Sequence, residues 1–112
     1  MYPWGNETPD CELANFGDCV GSTAPVGSYA EGASWVDAMD MAGNVWEWVA
    51  DWYESDYYAS SPANNPQGPD DGQYKVLRGG GWLFADGIRA AYRNLFAPAS
   101  AFSDSGLRCA QE

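Results

Sequence analysis

The sequence predicts a small α+β domain that is loop-rich, with several short strands and little helix. Three observations carry this expectation. Apolar residues occur in short runs, and no long helical stripe develops. Turn formers are dense, with Gly 13 and Pro 7 spread along the chain. Aromatic residues make up 15% of the chain, including six Trp and seven Tyr, so it has the bulk to fold despite its charge. With 112 residues it fits one domain, 1–112. A domain of this size buries ~65% of the surface its unfolded chain would expose.

Residues 1–34 read as irregular, with short apolar islands such as Ala24-Pro25-Val26. The stretch from Met39 to Tyr53 is dense in apolar residues. Within it Trp46, Trp48 and Ala50 alternate against Glu47, Val49 and Asp51, which predicts a strand. Residues 54–73 read as a long loop around Pro62, Asn64, Pro66, Gly68 and Pro69. Structureless loops of that length tend to be functional. Tyr74 to Arg78 predicts a short strand, and Gly79-Gly80-Gly81-Trp82 a tight turn or bulge where glycine allows close backbone approach. Ile88 to Arg93 reads as another strand, and Leu107 to Ala110 as the closing one.

Charge is unevenly placed. The formal net charge is −11, and no Lys or Arg precedes Lys75. Of the 16 acids only Asp86, Asp104 and Glu112 follow that point. A nucleic-acid partner is not expected, because phosphate binding needs clustered cations. Carboxylates without cations invite a divalent metal, above all Ca²⁺. The chain has no His, which removes the usual imidazole base, histidine-containing zinc sites and an iron facial triad. Cys11, Cys19 and Cys109 permit at most one internal disulfide, and no two form a Cys-x-x-Cys pair. No apolar run reaches the roughly 18 residues of a membrane-spanning helix, so no membrane insertion is expected. The opening Met1-Tyr2-Pro3-Trp4-Gly5 is turn-like rather than a secretion signal.

Several segments, in order, carry a resemblance. They are Tyr2-Pro3-Trp4-Gly5-Asn6-Glu7, Pro25-Val26-Gly27-Ser28-Tyr29 and Asp40-Met41-Ala42-Gly43-Asn44-Val45-Trp46-Glu47-Trp48 with Asp51-Trp52-Tyr53 after it. Asn65-Pro66-Gln67-Gly68-Pro69, Val76-Leu77-Arg78-Gly79-Gly80-Gly81-Trp82, Arg89-Ala90-Ala91-Tyr92-Arg93 and Gly106-Leu107-Arg108-Cys109-Ala110 follow. Across essentially the whole chain this resembles the formylglycine-generating enzyme (sulfatase-modifying factor) family. The resemblance implies a C-type lectin-like α+β fold with short antiparallel strands. It also implies an N-terminal half before the Tyr-Pro-Trp-Gly segment, supplied by the same or another chain.

Asp40, Gly43, Val45 and Glu47 form the first candidate site. A turn at Gly43-Asn44 brings the two acids together with the Gly43 and Val45 carbonyls, and Ca²⁺ favours such mixed oxygen donors. The family has a Ca²⁺ site at these matched positions. The resemblance implies a second one from the Asn15 and Asp18 side chains and the Phe16 and Val20 carbonyls. In the family's enzymes two cysteines hold copper(I), which favours soft thiolates, and oxidise a substrate cysteine to formylglycine with O₂. Ala90 aligns with the second of those cysteines, and no Cys lies between Cys19 and Cys109. Copper is therefore not expected, and no catalytic residue is assigned. Cys109 resembles a structural cysteine whose partner would lie in the absent half. Cys109 is therefore expected as a reduced buried thiol, with Cys11 or Cys19 as a substitute partner the alternative.

Related domains are polar between Trp82 and Gly106. Here Leu83, Phe84, Asp86, Ile88, Leu95, Phe96 and Phe102 stand among framework-like residues. This resembles the variable region of diversity-generating retroelement proteins, which use the same scaffold for ligand contacts. Exposed apolar side chains there form a binding patch for a protein or peptide ligand. The expected function is a non-catalytic, Ca²⁺-stabilised binding domain. The alternative is a fragment or divergent member of the formylglycine-generating oxidases.

Overall fold

The computed structural model describes residues 1–109. Four strands form one sheet: β1 (Trp46–Trp52), β2 (Lys75–Arg78), β3 (Asn94–Phe96) and β4 (Ser105–Leu107). Their spatial order is β3-β2-β1-β4. Two pairings are antiparallel, β1 with β2 and β2 with β3. The third departs from the expected antiparallel pattern, because β4 runs parallel to β1. Among the described residues helix is confined to a 3₁₀ turn at Ala30–Gly32 and a single turn, α1 (Tyr57–Ser60), inside the stretch read as structureless.

The β1 alternation breaks midway. Trp48 faces Leu77 and Trp52 faces Lys75, so β1 uses two more residues than β2 over the same span. That bulge turns Ala50 and Asp51 out to solvent and restores Trp52 to the sheet. On β2 both Val76 and Leu77 are buried, so loops cover both faces of the sheet. The 54–73 loop covers one face; the Gly68 N–H to the Tyr57 hydroxyl (3.1 Å) closes it on itself, and Gly72 packs it on Trp52. The core is small: Leu13, Ala14, Ala42, Trp46, Val76, Leu77 and Ile88.

Residues 88–93 are not a strand. Their carbonyls are claimed by a side chain: Arg78 Nη1 donates to the Tyr92 carbonyl (2.9 Å) and Nη2 to the Ala90 carbonyl (2.6 Å). The Tyr92 N–H closes a turn on the Arg89 carbonyl (3.0 Å), and ladder pairing starts only at Asn94. The closing strand ends at Leu107, where Arg108 leaves the sheet for the 39–47 loop; Ala110 lies outside the described residues. Cys11 and Cys19 are bonded to each other, and Cys109 is free and exposed rather than buried.

Candidate functional site

The turn at Gly43-Asn44 organises the molecule's loops. Both residues have positive φ (77° and 65°), which suits glycine and asparagine. A Cβ on Gly43 would meet the Asn15 carbonyl oxygen at 2.5 Å. Asn44 joins three segments. Its N–H donates to the Asn15 carbonyl (2.7 Å) and its carbonyl accepts from the Trp82 N–H (3.0 Å). Its side-chain amide pairs with the Ala24 backbone in both directions, at 2.8 and 3.1 Å.

This turn places all four residues of the first candidate metal set, Asp40, Gly43, Val45 and Glu47, around one cavity of about 250 Å³. Arg108 lines it too. Its Nη2 lies 2.7 Å from Glu47 Oε1, and Nε lies 3.2 and 3.1 Å from the two carboxylate oxygens. The same guanidinium donates to the Met39 carbonyl (2.8 Å) and the Asp40 carbonyl (2.9 Å). These bonds to the Glu47 carboxylate hold the Arg108 pKa above its ordinary value. Asp40 Oδ2 accepts the Gly27 N–H (2.7 Å). Both acids therefore have protein partners. Among the described residues no three Cys, Asp or Glu side chains converge as a metal cluster.

The second candidate set sits differently. Asn15 is 1% exposed, and its Nδ2 donates to the Ser22 carbonyl (2.8 Å) and to Asn44 Oδ1 (3.3 Å). Its Oδ1 is buried without a hydrogen-bond partner among the described residues. A buried acceptor left unpaired is costly, and a hard cation would satisfy it. Phe16 and Cys19 form a turn, the Cys19 N–H donating to the Phe16 carbonyl (3.0 Å), while Asp18 and Val20 are exposed. The Cys11–Cys19 bridge closes this loop. Calcium chemistry fits the Asn15 loop on its orphan oxygen. At Asp40–Glu47 it would have to share Glu47 with Arg108.

Copper does not fit. Ala90 carries no thiol, its carbonyl is bound by Arg78, and two of the three cysteines are joined.

A cleft of about 470 Å³ opens over the β1–β2–β3 face. Trp46 and Leu77 line its floor, and Leu83, Phe84, Phe96 and Phe102 its apolar walls. Asp86, Asn94, Ser103 and Asp104 are its polar lining, with Tyr92 beside Trp46 at 5.9 Å between ring centroids. Phe96 and Phe102 pack as a tilted pair with ring centroids 4.4 Å apart. Five of the seven candidate contact residues thus share one cleft: Leu83, Phe84, Asp86, Phe96 and Phe102. Ile88 does not belong to its surface. It is 3% exposed and packs beneath Gly80. Leu95 is half-buried on β3 and does not line the cleft. Gly87 explains how Trp46 reaches the floor, because a Cβ there would meet the indole Cη2 at 2.3 Å. Trp46 and Tyr92 were not singled out as contacts from the sequence. The Trp46 and Asp104 link was invisible there, since it is a parallel-strand contact: the Trp46 N–H donates to the Asp104 carbonyl (2.6 Å).

One small sheet of short strands in a loop-rich frame, with an aromatic cleft over its face, defines a C-type lectin-like domain of the formylglycine-generating enzyme type. The chain belongs to the family of the sulfatase-modifying factor enzyme 1-like domain, whose model matches residues 1–112. It is 44% identical to serine/threonine-protein kinase Pkn1 of Chlamydia trachomatis over 99% of its own length and 18% of that protein. It is 40% identical to the formylglycine-generating enzyme of Streptomyces coelicolor over 97% of its length and 35% of that protein. The chain thus spans well under half of these relatives. Among solved structures it is similar to Treponema denticola variable protein 1, with TM-score 0.78 and 30% identity, over 96% of this chain and 40% of that one. No helix among the described residues is long and apolar enough to cross a membrane.

Proposed function

We propose that the domain is a non-catalytic, calcium-stabilised binding module that takes a protein or peptide ligand in the aromatic cleft. The observation that carries this reading is the cleft wall. Phe84, Phe96 and Phe102 are 59%, 37% and 41% exposed around one cavity. Clustered aromatic surface of this kind marks an interaction site. The likeness to a protein named as a variable protein supports a scaffold role. In that reading the stretch between Trp82 and Gly106 is where diversity-generating retroelements would place sequence variation.

Calcium would be held by the side chains of Asn15 and Asp18 with the Phe16 and Val20 carbonyls. The Asp40, Gly43, Val45 and Glu47 set is the weaker candidate because Arg108 already neutralises Glu47. Calcium there would supply positive charge to an acidic loop region. The loop braces the cleft: Gly17 N–H donates to the Phe84 carbonyl (3.3 Å) and Asp18 N–H to the Trp82 carbonyl (3.1 Å). A further half-domain, on the same or another chain, is part of this reading. The alternative, oxidation of a cysteine to formylglycine, draws on the Streptomyces relative but finds no thiolate pair in this chain.

The test is selection of peptides from a random displayed library on the purified domain. Phe84 and Phe102 are exposed enough that Phe84→Ser and Phe102→Ser leave the fold intact. Enriched peptides are expected to lose at least about tenfold in affinity on either variant. Enrichment indifferent to both variants refutes the assignment.

A further inference from the structure

The cleft holds more than apolar surface. Two carboxylates, Asp86 and Asp104, line it, and no Lys or Arg does. Four of the chain's five cations are engaged elsewhere. Lys75 sits over the Trp52 ring and Arg93 over Tyr53 and Tyr58. Arg78 binds the Ala90 and Tyr92 carbonyls, and Arg108 binds Glu47. Arg89 lines two other cavities, one beside Met1 and Trp35 and one beside Pro9 that Asp86 also borders, but among the described residues it forms no ion pair with Asp86.

Asp104 stands against the floor rather than out in solvent. A Cβ placed on Gly81 would meet Asp104 Oδ2 at 2.6 Å and Trp46 Cδ1 at 3.0 Å, so carboxylate and indole lie against the same glycine. Trp46 and Tyr92 are already paired in a tilted arrangement, and Phe96 with Phe102 forms a second pair on the wall. Ring faces attract cations, and a low-dielectric floor strengthens their attraction to a carboxylate. A chain of formal charge −11 adds a favourable long-range field.

We infer that the cleft selects a peptide through a lysine or arginine side chain, whose charged head meets Asp104 and Asp86 while the rings cover its aliphatic stem. This rests on the reading of the cleft as the ligand site and adds the ligand's charge. The apolar walls at Leu83 and Phe84 favour apolar residues beside the cation.

The test uses immobilised nonapeptide pools, acetylated and amidated, randomised except at a central Lys, Arg, Leu or Glu. Lys- and Arg-centred pools are expected to hold the purified chain at least about tenfold more tightly than Leu- or Glu-centred pools. The preference should shrink in high salt. The isosteric double variant Asp86→Asn/Asp104→Asn should erase it without moving the melting temperature. Asp70→Asn/Asp71→Asn removes equal charge from the 54–73 loop and should leave it intact. If the two double variants weaken capture equally, overall charge rather than the cleft is responsible and the inference fails. If Leu-centred pools bind as well as Lys-centred ones while Phe102→Ser abolishes capture, the cleft remains the ligand site but its cation preference is refuted. If no pool distinguishes wild type from Phe102→Ser, both readings fall.

Discussion

The Cys11–Cys19 bridge offers a perturbation whose size follows from the structure. It closes a loop of sequence separation 8 around the buried Asn15. In the chain-entropy account, a loop this short restricts the unfolded state by about 2.5 kcal/mol. With an unfolding entropy of ~2.1 cal/mol/K per residue over the whole domain, that is a fall of about 10 °C in melting temperature. The loop also donates two hydrogen bonds to the cleft wall, from Gly17 to Phe84 and from Asp18 to Trp82. If both are released, at ~1 kcal/mol each, the fall approaches about 20 °C. The variant is Cys11→Ser/Cys19→Ser, melted beside wild type with and without reductant. Native wild type should titrate one thiol, Cys109, and reduction should reproduce the variant's melting curve. A shift below about 3 °C would refute the reasoning, since the loop would then be held by its neighbours alone.

Three further perturbations are sharp. Calcium should raise the melting temperature relative to chelator, by linkage worth about 2.7 kcal/mol at 100-fold excess over Kd, and Asn15→Ala should abolish the gain. No shift at millimolar calcium removes both metal sets. Arg108→Gln should cost about 1–2 kcal/mol in urea unfolding, discounted because the side chain is 40% exposed. Because Arg108's folded pKa is raised, its contribution is full below arginine's ordinary range and is lost only as pH rises beyond it. The cost of Arg108→Gln should therefore be constant between pH 6 and pH 9, and a cost that varied across that window would count against the assigned pairing. Gly43→Ala should cost more than about 3 kcal/mol, from positive φ and the overlap with the Asn15 carbonyl.

Much of the fold was legible where side-chain period and backbone ladder agree. Trp46, Trp48 and the Val76-Leu77 pair announced β1 and β2. The Ile88–Arg93 stretch misled because its alternation is real but its carbonyls bond to the Arg78 guanidinium, a side chain distant in sequence. The parallel β1–β4 pairing left no local signal, since register between distant segments depends on the loops between them. Asp40, Gly43, Val45 and Glu47 were brought together as their spacing and the turn residues suggested. Arg108's intrusion was not foreseeable, because it arrives from the far end of the chain. In the cleft, exposed Phe84, Phe96 and Phe102 were recognisable by residue type against a polar background. Ile88 was not separable from them, since an apolar residue looks the same whether it lines a wall or packs beneath it.

On the proposed reading the chain binds through aromatic surface and lacks the pair of thiolates that formylglycine generation would need. The most direct measurement incubates the purified polypeptide with copper(I), oxygen and a cysteine-containing peptide, and follows both metal uptake and the peptide's mass. No stoichiometric tight copper binding and an unmodified cysteine are expected. Formation of the aldehyde product by the polypeptide alone would contradict that reading.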